Sequence, residues 1–228
     1  MHILLVAATA GETAGLRTAL GAISNPGGLE TATCAGDHIT FLHTGVGLVN
    51  TAFVLGQYLA HTVPDFSLQV GIAGSYRRSW SLGTAVQVVQ ETQAELGAAS
   101  PEGFLDMAAL GFPVLSTADV TWYNTLRHPT PPALGLPVAH GISVQTVQGE
   151  PAGISQMEHR WAPDVESMEG AAFFYACLRT GVPFAEIRTL SNYVETRDKS
   201  RWDIPLALRQ LTHTIMALLQ QQAFHAAR

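Results

Sequence analysis

Apolar residues run in short unbroken stretches: "ILLVAAT" near the start, then "ITFLHTG", "FSLQVGIAG", "TAVQVVQET", "GISVQTVQG", "DVES" and "FAEIRTLSN". Such continuous runs predict strands covered on both faces, since a strand with one wet face would alternate. Segments with a helical period follow several of them, over residues 12–20, 47–61, 152–160, 169–180 and 204–224. The alternation predicts an α/β protein of three layers, with helices on both faces of a twisted, mostly parallel or mixed central sheet. The prolines of "RHPTPPALGLP" (127–137) exclude a regular helix and predict a surface loop. No repeat period or Ser/Gly/Pro linker divides the chain, so residues 1–228 are expected to form one domain.

Composition narrows the function classes. With 47% hydrophobic and 13% charged residues, 228 residues can bury a large core. A net charge of -6 with scattered Lys and Arg argues against a nucleic-acid partner, which needs clustered cations to displace counterions. The apolar N-terminal run breaks into Ala, Gly and Glu too early to span a membrane, and no apolar stretch of helix-spanning length occurs elsewhere. Cys34 and Cys177 are too few for a disulfide framework or a zinc cluster. A soluble protein of the reducing cytoplasm is expected.

In an open α/β sheet, ligands gather at the carboxyl ends of the strands. Two glycine motifs found there fail as known fingerprints. "GVGLVN" (45–50) has Asn50 where a dinucleotide loop needs its third glycine, and Asp65 lies too near to serve as the ribose acid. "GIAGS" (71–75) has Ala73 where a nucleophile elbow needs a hydroxyl. The nine histidines show no ligand spacing, so no metal is expected. What remains is Glu12, Glu169 and Asn192, drawn from remote parts of the chain. Each has an ordinary structural explanation: a carboxylate complements a helix start, and an asparagine makes a turn.

Taken together, "TGVGLVNTA", "PDFSLQVGIAGS", "SLGTAVQV", "DVESMEGAA" and "GVPFAEIRTLSN" resemble the nucleoside phosphorylase and nucleosidase superfamily, more closely its bacterial nucleosidases, over nearly the whole chain. The resemblance implies an N-glycosyl hydrolase acting on a purine nucleoside without a cofactor. It gives Glu12 the activation of the attacking water, and Glu169, with Met168, the ribose. Glu166 is implied to be supporting. Adenine-releasing nucleosidases carry Asp at the position of Asn192, and an ionised Asp would face O6 of a 6-oxopurine acceptor against acceptor. Asn192 is therefore expected to select a 6-oxopurine, with Ser191 orienting its amide and Arg188 supporting the strand end. The family's base-stacking aromatic is missing from "TVQGE" (146–150), which leaves Phe104, in the 94–107 loop, as the candidate to cover the purine. A homodimer or higher homo-oligomer is implied as well. An adenine-releasing nucleosidase, a phosphorylase and a non-catalytic purine-binding protein are the alternatives.

Overall fold

The computed structural model describes residues 1–25 and 27–225. The chain opens with β1 (His2–Ala7), α1 (Ala10–Ala19), β2 (Ile23–Ser24), β3 (Glu30–Cys34), β4 (Asp37–His43) and α2 (Leu48–Leu59). Next come β5 (Phe66–Ser75), β6 (Ala85–Gln93), a hairpin of β7 (Gly97–Ser100) and β8 (Gly103–Asp106), and the short α3 (Met107–Leu110). Strands β9 (Leu115–Ser116), β10 (Thr121–Trp122), β11 (Thr125–Arg127) and β12 (Val138–Ser143) lead to α4 (Pro151–Trp161) and β13 (Val165–Ser167). The last elements are α5 (Gly170–Thr180), β14 (Phe184–Tyr193) and α6 (Ile204–Gln220).

The layers follow from the side-chain period of the first strand. Ile3 and Leu5 of β1 pack with Leu16 of α1 and Leu211 of α6, while Leu4 and Val6 pack with Leu55 of α2 and Phe173 of α5. Successive residues of a strand point to opposite faces, so a continuously apolar run serves two cores at once. The expected three-layer arrangement is present, and the sheet is mixed.

One half of that sheet closes on itself. Strand β1 pairs in parallel with both β4 and β5. Beyond β5, β14 lies parallel to β5 and antiparallel to β6, β6 pairs with β12, β12 with β13, and β13 returns antiparallel to β5. This closed ring brings the ends of β5, β13 and β14 side by side although they are remote in sequence. No helix among the described residues is long and apolar enough to cross a membrane.

Two regions depart from the pattern reading. Strand β3, "ETATC", has no apolar run and becomes a strand only through its antiparallel pairing with β4 across a turn at Ala35 and Gly36, both at positive φ (49° and 87°). The 94–107 segment, expected as a loop, contains the β7–β8 hairpin.

Candidate active site

A cavity of about 440 Å³ opens at the carboxyl ends of β1, β5, β13 and β14, and Glu12, Met168, Glu169, Ser191 and Asn192 all line it. Five of the sequence candidates thus meet around one space. Arg188 does not line it but stands against Glu169.

Glu12 has two jobs, and the local sequence explains the first. Thr9 is the N-cap of α1, and Glu12, three residues on, completes a capping box by accepting the Thr9 backbone N–H through Oε2 at 3.0 Å. The same carboxylate reaches across to β5, where Oε1 accepts the Ile72 backbone N–H at 3.2 Å. The helix-start explanation is therefore correct but incomplete, because the cap holds the carboxylate at the cavity wall. Gly71 supplies the room: a β-carbon there would lie 2.5 Å from Arg188 Nη1 and 2.7 Å from Glu12 Oε1.

Glu169 behaves in the opposite way. It occupies the N-cap position of α5, yet its side chain makes no capping bond. Instead, Oε1 accepts the Gly47 backbone N–H at 3.1 Å, and Oε2 lies 3.4 Å from Arg188 Nη1. Arg188 turns its Nε to Glu186 Oε1 at 2.7 Å. Arg188 and Glu186 are fully or almost fully buried, as is Glu91 beside them, whose Oε2 accepts from Ser143 Oγ at 2.7 Å. Burial opposes the Arg188 charge, but Glu186, Glu169 and Glu12 outweigh it and hold its pKa above the usual guanidinium value. Burial and then repulsion from Glu186 push Glu91 well above the carboxylate range. The cluster is a buried cation shared among acids, with its outermost acid facing the cavity.

At the other end of the cavity, a bulge in β14 sets the amide. Leu190 pairs with Ala73 and Asn192 with Gly74, which leaves Ser191 as the extra residue. Bulges of this kind re-aim side chains beside functional sites. Ser191 Oγ donates to Asn192 Oδ1 at 2.8 Å, and Asn192 Nδ2 donates to the Tyr193 carbonyl at 3.0 Å, so the amide has a fixed direction and one N–H to spare. Glu166 also lines the cavity, its carboxylate accepting from the Gln148 backbone N–H at 2.8 Å and from Tyr76 Oη at 3.0 Å.

Phe104 is a correction. It sits on β8, its ring 6.4 Å from that of Trp161 and beneath the guanidinium of Arg160 at 3.9 Å, and it does not line the cavity. The hairpin, not predicted from sequence, directs it to α4. The aromatic lining comes from Trp202, just ahead of α6, with Arg197 over its ring at 5.3 Å. Ile204 and Leu208 of α6 extend that apolar wall. The sequence carries a tryptophan beside a helix start in "RWDIP" (201–205), ahead of the helical segment expected over 204–224.

The fold and this constellation define a class. Residues 2–221 match the family model of the phosphorylase superfamily, and the chain belongs to it. Within the superfamily its relatives include futalosine hydrolases. It is 38% identical over 195 residues to the futalosine hydrolase of Thermus thermophilus, covering 82% of this chain and 84% of that one. It is 34% identical over 221 residues to that of Acidothermus cellulolyticus, covering 94% and 89%. Among solved structures, a 5'-methylthioadenosine/S-adenosylhomocysteine nucleosidase from Colwellia psychrerythraea, in complex with adenine, superposes with a TM-score of 0.78 at 18% identity, over 97% of this chain and 95% of that one.

Proposed function

We propose that the cavity hydrolyses the N-glycosidic bond of futalosine, releasing hypoxanthine and dehypoxanthine futalosine as a step of menaquinone biosynthesis in the cytoplasm. The observation that carries this reading is the meeting of the Glu12 and Glu169 carboxylates and the oriented Asn192 amide around a single cavity. As the glycosidic bond breaks, positive charge grows on the ribosyl ring and electron density leaves with the base. Glu12, fixed by Thr9 and Ile72, takes the proton of the attacking water. Glu169 accepts hydrogen bonds from the ribose hydroxyls, and Arg188 holds it in place from behind. The spare N–H of Asn192 stabilises the departing purine. Arg188, already shared between Glu186 and Glu169, is poorly placed to hold a phosphate dianion, which supports hydrolysis over phosphorolysis. Incubating the protein with futalosine, inosine, methylthioadenosine and adenosylhomocysteine, with and without phosphate, tests the proposal by chromatography of the products. Hypoxanthine released from futalosine independently of phosphate is the expected result; predominant adenine release, or a ribose 1-phosphate product, would overturn it.

Asn192 carries the leaving-group preference. Asn192→Asp is expected to lower kcat/KM for futalosine relative to its 6-amino counterpart by about 10- to 100-fold, since one buried unsatisfied acceptor costs about 1–3 kcal/mol. An unchanged ratio removes Asn192 from this role.

The protein acts as a homodimer in this reading. Val46, Val49 and Phe53, at and within the start of α2, are 49%, 74% and 69% exposed, and Val46 also lines the cavity. A second copy seated there removes an apolar stripe from water and closes the cavity mouth. Val49→Asp should therefore yield monomers by light scattering and raise KM; a variant that remains dimeric with unchanged KM places the contact elsewhere.

A further inference from the structure

Glu166 is an acid that the water-activating and ribose-binding roles leave unused. It is 5% exposed and lines the cavity. Both of its oxygens are held by neutral donors, Oε1 by the Gln148 backbone N–H and Oε2 by Tyr76 Oη. A carboxylate offers about four acceptor positions, so each oxygen keeps lone-pair capacity. Its place in the sheet decides where that capacity is spent. Gly74 of β5 pairs with Asn192 on one side and with Glu166 on the other. Residues directly opposite one another share a face, so the three stand in one row, with amide and carboxylate separated by two strand spacings, about 10 Å. Gly74 keeps the middle of the row low: a β-carbon there would come within 3.1 Å of Asn192 Nδ2 and 3.0 Å of Val194 Cγ2. The result is a slot with a glycine floor, an N–H donor on one wall and a carboxylate acceptor on the other.

We propose that Glu166 is a specificity-determining residue that accepts the N1–H of a 6-oxopurine seated over Gly74. The inference rests on the reading of the site as one that releases hypoxanthine, and it adds a second point of recognition to Asn192. A 6-oxopurine presents acceptors at N7 and O6 and a donor at N1. A 6-aminopurine presents a bare lone pair at N1, which meets the carboxylate acceptor against acceptor. The row therefore reads the base edge in order: amide donor to N7 or O6, carboxylate acceptor to N1–H. The Gln148 backbone N–H, which could have donated to an unprotonated N1, is bound to Glu166 instead.

The test is the binding of free bases, measured by calorimetric titration of the unsubstituted protein and of Glu166→Gln. The glutamine keeps its carbonyl on the Gln148 N–H and turns its NH₂ to the cavity, so a donor replaces the acceptor. Hypoxanthine is expected to bind about 10- to 100-fold more weakly to the variant, as befits loss of a charge-assisted hydrogen bond, with adenine unchanged or tighter. An equal effect on both bases would overturn the proposal. Should the variant not fold, the unsubstituted protein decides with N1-methylhypoxanthine, which lacks the donor: binding at least tenfold weaker than hypoxanthine supports the role, and equal binding ends it. These outcomes are separable from failure of the underlying reading, which would appear as no cleavage of futalosine by the unsubstituted enzyme.

Discussion

Replacing Glu12 by glutamine is expected to lower kcat for futalosine by about 10²- to 10⁴-fold, the usual contribution of a positioned general base. The fold should survive, because the capping box accepts Gln as readily as Glu at this position and the amide oxygen can still receive the Thr9 N–H. The substitution thus separates the two tasks of this side chain: the cap needs only an acceptor, whereas water activation needs a basic one. The expected signature is a collapse of kcat, with the dissociation constant for nucleoside changed far less and stability lowered only by about 1–3 kcal/mol, since the amide NH₂ then faces the Ile72 N–H. A variant within tenfold of the parent rate would show that the water is activated elsewhere. If parent and variant both bind nucleoside and neither cleaves it, the protein is a binding module on an enzyme scaffold.

The second large effect concerns Arg188, and it is one of stability. Arg188→Leu removes the buried cation between Glu186 and Glu169, leaving two acids without their partner. Breaking a buried pair in this way costs about 3–5 kcal/mol, since the remaining charge keeps its desolvation penalty and loses its compensation. For a chain of this size each kcal/mol lowers the melting temperature by about 2–4 °C, so a drop on the order of 10 °C is expected by calorimetry. Activity should fall as well, because Glu169 loses one of its two anchors. Arg188→Lys should be little better, since one ammonium cannot reproduce an Nε contact to Glu186 and an Nη1 contact to Glu169 at once. A leucine variant within 1 kcal/mol of the parent would mean that Glu186 and Glu169 tolerate isolation by protonation, an outcome visible as protonated carboxyl groups in the infrared spectrum.

The site was legible where its residues stand at predicted strand ends. Glu12, Glu169 and Asn192 each follow an apolar run, and an α/β sheet brings such positions together. The choice between helix capping and ligand binding was not legible, because both put an acid in the same place. The fold divides the two cases: the Glu12 carboxylate caps its own helix, and that of Glu169 does not. Phe104 was named and Trp202 passed over for a different reason. Which aromatic reaches the cavity depends on the β7–β8 hairpin and on how the chain enters α6, and both are set by tertiary pairing. Likewise, "ETATC" carries no periodic signal of its own and takes its conformation from β4.

The spare residue at Ser191 makes this end of the protein sensitive to strand register in a way that composition alone does not reveal. Along a strand, consecutive side chains alternate sides, so one supernumerary position acts as a half-period phase shift for everything after it. Asn192 presents its amide inward only on account of that shift. A regular ladder through the same sequence would set Ser191 opposite Gly74 and turn the Asn192 amide to the back of the sheet, giving a well-folded protein blind to its base.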